Sequence, residues 1–124
     1  DRATIGSVQV RAGLDDRAVR RILSSARALL LPSQTEGYGL PVVEALSVGV
    51  PVLCSDIPAL RESGRGVPEY LPVQDGDAWY ETIMDYADQS SERRAHQLER
   101  LARVEVPTWE DHFARLASIL EQRL

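Results

Sequence analysis

Two glutamates and two glycines in one short stretch are the residues of this sequence best suited to chemistry. The stretch reads Glu36-Gly37-Tyr38-Gly39-Leu40-Pro41-Val42-Val43-Glu44. A carboxylate accepts hydrogen bonds from two hydroxyls at once, so each glutamate suits a vicinal diol of a ribose or a hexose. The glycines let the backbone approach a ligand closely, and the N–H groups that lead into a helix attract phosphate oxygens. A sugar beside a phosphate describes a nucleotide sugar.

Each of these residues also has an ordinary structural explanation. Glu44 would favour the positive end of a helix dipole by about 0.3–1 kcal/mol, Glu36 would be a solvated loop charge, and the glycines would form a tight turn. Paired carboxylates also serve glycoside hydrolases, which hold them on opposite sides of one sugar carbon. Loop and helix-start positions instead place Glu36 and Glu44 along an extended ligand, which disfavours hydrolysis.

The flanking sequence predicts the elements that position this stretch. The apolar run 28–31, stopped by a proline, predicts a central parallel strand that is covered on both faces. Pro41 suits the first turn of a helix, which we expect to run to about Val48 and to end at Gly49. The run 51–54 predicts the next strand. The candidate residues therefore join a strand end to a helix start, the edge at which open α/β sheets bind ligands.

The alternation of short apolar runs with helical spacing predicts an α/β fold, with a partial Rossmann-like parallel sheet of about three strands. Val8 and Val10 alternate with polar neighbours and predict a short strand. Helical spacing follows Asp15-Asp16, which would cap that helix. A short helical turn is expected over 57–62, and a last short strand over 70–73.

Three helical patterns occupy the remainder of the chain, and Thr108 is the predicted N-cap of the last one. We therefore expect no more than one domain over residues 1–124, with an α/β portion at 1–75 and a helical C-terminal tail at 76–124. The apolar positions that define the three helices are Trp79, Ile83 and Tyr86, then Leu98, Leu101 and Val104, then Trp109, Phe113, Leu116 and Leu120.

Composition excludes several classes of protein. All 14 basic residues are arginine, and without lysine the chain has neither a Schiff-base amine nor a Walker phosphate loop. One cysteine and two histidines supply neither a four-ligand zinc site nor a disulfide framework, so we expect no metal and a buried, apolar role for Cys54. The net charge of -5 argues against nucleic-acid binding. The same cysteine usage predicts a cytoplasmic location, and no membrane-spanning run or signal peptide is recognised.

The motif residues resemble those of a known enzyme family, the retaining nucleotide-sugar glycosyltransferases of the two-Rossmann-domain type (glycosyl transferases group 1, or family four). The similarity begins near Val8 and runs through Glu110. The segment 55–62 resembles a subgroup that includes many bacterial mannosyltransferases of surface-polysaccharide assembly. The segments that carry the family resemblance are Pro32-Ser33, Glu36 to Pro41, Glu44-Ala45 and Gly49 to Val52.

This resemblance implies a role for each motif residue. Glu36 looks like the catalytic residue that positions the donor hexose near the reacting carbon. Glu44 looks like the residue that grips the ribose hydroxyls of the donor nucleotide. The backbone of the intervening loop would contact sugar hydroxyls and the diphosphate, without a metal or any cofactor. The donor-binding positions of that loop are Gly37, Tyr38, Gly39 and Leu40.

The resemblance also implies that this chain is the later part of a C-terminal donor-binding domain. The Arg and Lys pair that neutralises the donor diphosphate would lie outside it, so the fragment alone would be inactive. The strand that pairs with Val8 to Val10 would also lie outside it, which leaves an unpaired edge through which the fragment would dimerise. The full-length enzyme would transfer a hexose, with mannose favoured, to a glycan or lipid-linked acceptor in the cytoplasm, as a peripheral protein at the inner face of the membrane. The alternatives are a non-catalytic binding domain of the same ancestry and a nucleotide-sugar epimerase of related fold.

Overall fold

A computed structural model of the chain describes residues 8–34, 39–104 and 117–118. The elements, in chain order, are α1 (Asp16–Ser24), β1 (Leu29–Leu31), α2 (Leu40–Ser47), β2 (Val52–Ser55), α3 (Pro58–Gly64), β3 (Glu69–Leu71), α4 (Gly76–Ala87) and α5 (Glu92–Arg103). The strands form one parallel sheet in the order β1-β2-β3, and helices pack against it. This arrangement confirms the predicted α/β fold with a partial Rossmann-like sheet of three strands.

The central strand of the sheet is β2. It pairs with β1, where Leu30 lies opposite Leu53, and with β3, where Leu53 lies opposite Glu69. All of β2 is buried, whereas Leu30 is 44% exposed. The prediction that the run 28–31 is the central strand is therefore wrong, because β2 is the only described strand that pairs with β1. The predicted cover on both faces is wrong at Leu30 as well, and an apolar run does not show which edges of a strand are paired.

The predicted helix boundaries around the sheet are confirmed. The Asp15 carboxylate caps α1 and accepts a hydrogen bond from Ala18 N at 2.8 Å. Pro41 lies in the first turn of α2, as its fixed φ and missing N–H favour. The helix ends at Ser47, and Gly49 then turns the chain with a φ of +81°. The local sequence thus sets where α1 and α2 begin and end.

Two predictions of strand position are corrected by the structure. Val8 and Val10 lie in irregular backbone, with 65% and 92% of their surfaces exposed, so the predicted strand with an unpaired edge is wrong at this place. Two alternating valines match the period of a strand but bring no backbone partner with them. The last strand covers 69–71 instead of 70–73, because Pro72 has no N–H to donate to the ladder.

The core lies on both faces of the sheet, because successive side chains of a strand point to opposite sides. Leu53 faces α4 and packs with Leu71 and Tyr86. Cys54 is fully buried on the other face, as predicted, and burial raises the pKa of its thiol to about 12. The fully or largely buried side chains of that face are Leu23, Val42, Ala45, Leu46, Val50, Val52, Cys54, Leu60 and Val67.

Two of the three predicted C-terminal helices are α4 and α5. The predicted apolar face of α4 meets the sheet, and Leu101 of α5 joins the core of the opposite face. The third helix, with its predicted N-cap Thr108, falls outside the described residues except for helical backbone at 117–118. Over the part of the chain that the structure describes, none of the helices has the length and apolar character needed to cross a bilayer.

Candidate functional site

The candidate site lies at the carboxyl end of the sheet, where the chain passes from β1 to α2. Of the stretch that the sequence singles out, the structure describes the part from Gly39 to Glu44. Glu36, Gly37 and Tyr38 lie outside the described residues, so their roles stay predictions. The described part forms the first turn and a half of α2, which starts directly after Gly39.

Gly39 begins α2 in a backbone conformation that favours glycine. Its φ of +63° lies in the left-handed region, where a Cβ costs roughly 1–2 kcal/mol. A Cβ at this position would overlap Ser63 Oγ on α3 and would lie 2.7 Å from Ser63 Cβ. Helix α3 therefore packs directly on the start of α2. The protein itself requires glycine here, whether or not a ligand approaches the same backbone.

The start of α2 has no side-chain cap. Gly39 offers no side chain, and its carbonyl oxygen accepts hydrogen bonds from Val42 N at 3.1 Å and from Val43 N at 3.2 Å. Pro41, in the same turn, has no N–H. The positive end of the helix dipole is therefore not offset by a capping carboxylate or hydroxyl at Gly39. Such a helix start favours a negatively charged group.

Glu44 is half-buried one turn into α2. Burial raises the pKa of its carboxyl, the Arg20 guanidinium on α1 lowers it in part, and the Asp16 carboxylate raises it slightly further. No described residue donates a hydrogen bond to this carboxylate. A partly desolvated carboxylate in this state keeps its capacity to accept hydrogen bonds from hydroxyl groups. That capacity is the chemistry that the sequence predicts for Glu44.

A second polar group at this end of the sheet consists of Asp56, Arg61 and Tyr70, which we call the β2–α3 cluster. Arg61 Nε and Nη2 donate to the two carboxylate oxygens of Asp56, the second at 3.0 Å. Arg61 Cζ lies 4.4 Å from the centre of the Tyr70 ring. The Tyr70 hydroxyl accepts from Gly66 N at 3.3 Å and donates to Leu60 O at 3.4 Å. The Arg61 guanidinium holds the pKa of the Asp56 carboxyl below its usual value.

Sequence reasoning does not find the β2–α3 cluster. Asp56 precedes α3 and lies five positions before Arg61, which is not the spacing of a helical ion pair. Tyr70 comes from β3, so only the packed structure brings it under Arg61. The one available signal is the resemblance of the segment 55–62 to a subgroup of the family. That resemblance assigns no role to either charged residue.

Ser55 ends β2 with a buried hydroxyl. The residue is fully buried, and its Oγ forms no hydrogen bond. An unpaired buried hydroxyl costs about 1–3 kcal/mol, so this position lowers stability at the carboxyl end of the central strand. By the alternation of the strand, Ser55 faces the same side as Leu53, the side of α4. It is therefore separate from Gly39 and Glu44, which belong to the helix on the other face.

Metal and thiol chemistry find little support among the residues that the structure describes. Within 8–34, 39–104 and 117–118, no three His, Cys, Asp or Glu side chains come together as a set of metal ligands. Cys54 has a raised pKa and is buried, so its thiol stays protonated and unreactive near neutral pH. Among the described residues, the groups best suited to bind a ligand are therefore the helix start at Gly39, Glu44 and the β2–α3 cluster.

Comparisons with known proteins point to one family of enzymes. The "O-antigen chain mannosyltransferase B" of Escherichia coli is 30% identical over 106 residues, which cover 86% of this chain and 28% of that protein. The "MMP alpha-(1->4)-mannosyltransferase" of Mycolicibacterium hassiacum is 30% identical over 94% of this chain and 29% of its own length. The "O-antigen chain mannosyltransferase RfbU" of Salmonella typhimurium is 37% identical over 50% of this chain and 18% of its own length.

The chain thus spans less than a third of the length of each of these relatives. No solved structure gives a significant match. A family model, Glycosyl transferases group 1, matches residues 4–66, which is just over half of the chain. The matched region includes β1, α2, β2 and α3, and with them Gly39, Glu44 and the Asp56–Arg61 pair. The chain belongs to the glycosyl transferases group 1 family.

Proposed function

We propose that this chain is the donor-binding part of a retaining glycosyltransferase that takes a hexose from a nucleotide sugar. The observation that carries the proposal is Glu44, a half-buried carboxylate on the helix that follows β1, with a raised pKa and no hydrogen-bond donor among the described residues. At the carboxyl end of a parallel sheet, such a carboxylate suits the two hydroxyls of a ribose. The family match supports the proposal because it includes this helix.

In this proposal the donor lies along the carboxyl end of the sheet. Glu44 accepts hydrogen bonds from the ribose hydroxyls, and the loop from Gly37 to Leu40, with Tyr38 and Gly39 between them, contacts the diphosphate and the sugar. The positive end of the α2 dipole stabilises the negative charge that develops as the nucleoside diphosphate leaves. Glu36 is the proposed catalytic residue, which positions the hexose near the reacting carbon. The proposed reaction uses no metal and no cofactor.

Mannose is the hexose that the relatives favour, since the three proteins compared above are all named mannosyltransferases. Two of those names also refer to an O-antigen chain. We therefore propose transfer to a glycan or lipid-linked acceptor of a surface polysaccharide, by a longer protein in the cytoplasm at the inner face of the membrane. The chain alone is proposed to be inactive. Dimerisation through an exposed sheet edge stays a prediction.

Titration calorimetry tests the assignment of Glu44. The full-length protein that carries this chain is titrated with a panel of UDP- and GDP-sugars, as wild type and as Glu44→Ala. Loss of a hydrogen bond to a charged group is expected to weaken donor binding about 10- to 100-fold. Glu99→Ala, which removes an exposed carboxylate on α5, is the matched control and should leave donor affinity unchanged. Equal donor affinity in wild type and Glu44→Ala would contradict the ribose contact.

Kinetics of the same protein test the role of Glu36. Glu36→Gln should abolish turnover and largely retain donor binding, because the variant keeps the size of the side chain and removes its charge. A variant that transfers the sugar at the normal rate contradicts the catalytic assignment. The anomeric configuration of the product, followed by NMR, tests the retaining mechanism independently. An inverted product would overturn that part of the proposal.

A further inference from the structure

The geometry of the β2–α3 cluster points to a second sugar contact in this chain. We propose that Asp56 and Arg61 together bind two neighbouring hydroxyls of a hexose, and that the pair is a specificity-determining contact of the enzyme. This inference rests on the proposed function, since the hexose belongs to the donor or to the acceptor of that reaction. It assigns a substrate contact to residues outside the stretch from Glu36 to Glu44.

Asp56 and Arg61 are held in fixed positions although their ion pair contributes little to the stability of the fold. The side chains of Asp56 and Arg61 are 43% and 56% exposed, and an ion pair this exposed contributes little to stability. Even so, Arg61 is fixed on two sides, by two hydrogen bonds to Asp56 and by the ring of Tyr70 at 4.4 Å. Rigid polar groups on a surface lose little entropy when they bind a ligand. The cluster is therefore organised in advance for a contact with something outside it.

Asp56 and Arg61 lie at the same end of the sheet as the candidate site. Asp56 directly follows β2, so it lies at the same end of the sheet as the start of α2, and its backbone N is held by Leu71 O at 2.8 Å. Ser63, which contacts Gly39, is on α3 with Arg61. Arg61 and Ser63 are two positions apart on α3, about 3 Å along its axis, and they point from different faces of that helix. Arg61 therefore belongs to the helix that touches the start of α2, at the same end of the sheet.

Asp56 and Arg61 keep hydrogen-bonding atoms that their own ion pair does not use. A carboxylate oxygen has acceptor sites beyond those that Arg61 uses, and Arg61 Nη1 takes no part in the bonds to Asp56. Acceptors and donors thus lie side by side on a pair with no net charge. A hydroxyl both donates and accepts, so two neighbouring hydroxyls match this arrangement. A phosphate would meet the Asp56 carboxylate, and a cation would meet the guanidinium, so a neutral polyol is favoured over either ion.

Steady-state kinetics of the full-length protein test the contact and identify its source. The variants are Asp56→Ala and Arg61→Ala, with Asp56→Asn as a milder change that keeps the side-chain size. We expect the KM for one hexose substrate to rise about 10- to 100-fold, with a smaller change in kcat and an unchanged melting temperature. A rise in the KM of the nucleotide sugar assigns the contact to the donor hexose. A rise in the KM of the acceptor assigns it to the acceptor hexose.

Two further measurements separate recognition from a structural role. Glu62→Gln removes an exposed carboxylate from the same helix and should leave both KM values unchanged. The exchange Asp56→Arg with Arg61→Asp restores an ion pair with its groups reversed. If the pair only supports the fold, this double variant regains the wild-type KM. If the pair binds hydroxyls, the raised KM persists although the melting temperature is normal.

The outcomes also distinguish this contact from the proposed function. If wild type transfers a hexose and every cluster variant keeps both KM values within about twofold, the contact is overturned and the proposed function stands. Recovery by the exchanged pair overturns the contact in the same way. If wild type neither binds nucleotide sugars nor transfers a hexose, the proposed function fails and the contact fails with it. Binding of UDP or GDP without the sugar should be equal in wild type and all cluster variants.

Discussion

The two ends of the sheet differ in whether their buried polar groups are hydrogen-bonded. At the amino end, Gln97 is fully buried, and its side-chain amide accepts a hydrogen bond from Val52 N at 2.6 Å and donates one to Val52 O at 3.1 Å. The amide thus forms the backbone hydrogen bonds that a neighbouring strand would otherwise form with Val52, the first residue of β2. At the carboxyl end, the Ser55 hydroxyl is buried without a partner, and Glu44 is partly desolvated. The amino end thus satisfies its buried polar groups within the fold, whereas the carboxyl end leaves the Ser55 hydroxyl and the Glu44 carboxylate without a hydrogen-bond partner among the described residues.

The amino end is closed by a network that links α4, α5 and β3. The Tyr86 hydroxyl accepts from Gln97 Nε2 at 2.8 Å and donates to Glu69 at 3.2 Å. Both carboxylate oxygens of Glu69 also accept from Arg93, at 3.2 Å each. Buried polar groups that are all satisfied make a structure rigid and specific. We call these residues, Gln97, Tyr86, Glu69 and Arg93, the amino-end network.

The carboxyl end carries the features that cost stability. Gly39 has a left-handed backbone, Ser55 lacks a hydrogen bond, and burial of Glu44 disfavours its charged form. The exposed polar groups at this end, Asp56 and Arg61, pair with each other, and Arg61 also lies over the ring of Tyr70. Such departures from an optimal fold concentrate at functional sites. The comparison therefore predicts that substitutions at the two ends separate stability from ligand affinity.

The largest effect is expected at the amino-end network. Gln97→Leu introduces an apolar side chain of similar size and leaves Val52 N, Val52 O and the Tyr86 hydroxyl without this partner. At about 1–3 kcal/mol for each unsatisfied group, we expect a loss of roughly 3 kcal/mol or more in the free energy of unfolding. Denaturant titration measures this loss, and the exposed Gln89→Leu is the control. Donor affinity of the folded variant should stay at the wild-type value, and a loss below about 1 kcal/mol contradicts the comparison.

A smaller effect is expected at the start of α2. Gly39→Ala places a Cβ at a φ of +63° and against Ser63, so we expect a loss of about 2–3 kcal/mol together with weaker donor binding. Gly49→Ala is a matched control, because Gly49 also has a left-handed φ, of +81°, but no atom within 4 Å of its added Cβ. It should lose only about 1–2 kcal/mol and keep the affinity for the donor. Equal losses and equal affinities in the two variants would show that contact with α3 is unimportant.

The sequence predicts the local features of this fold better than the tertiary ones. Asp15, Pro41 and Gly49 mark helix boundaries because a cap, a first-turn proline and a left-handed turn depend only on neighbouring residues. The requirement for glycine at position 39 depends also on Ser63, which lies 24 positions later and contacts it only after α3 has packed. No local pattern contains that contact.

The buried side chain of Gln97 is a second case that the sequence could not predict. Helical spacing places apolar residues inward and polar ones outward, so Leu98 and Leu101 are the expected core positions of α5. The structure instead buries Gln97 completely, because its side-chain amide is hydrogen-bonded to the backbone of Val52 at the amino end of the sheet. The β2–α3 cluster escapes prediction for the same reason, since its three residues come from a turn, a helix and a strand.

The smallest change in the free energy of unfolding is expected at Glu44, where a substitution should raise stability instead of lowering it. Burial raises the pKa of its carboxyl above the ordinary value of 4.5, so the folded state favours the protonated form more than the unfolded chain does. The stability from this preference is fully present below the pKa of the unfolded chain and is lost as pH rises through the pKa of the folded state. At pH 7 the ionised carboxylate therefore lowers stability, and Glu44→Gln, which stays neutral, should be slightly more stable than wild type.

Denaturation midpoints of wild type and Glu44→Gln at pH 4 and pH 7 test this prediction. The two proteins should differ little at pH 4, and the variant should gain less than about 1 kcal/mol at pH 7, because the side chain is only half-buried. Calorimetry on the full-length protein should show weaker donor binding in the same variant. A gain in stability with a loss of affinity marks a residue that serves a ligand at the expense of the fold. A variant that loses stability at pH 7 would instead make Glu44 a structural residue, and the contrast between the two ends of the sheet would not extend to α2.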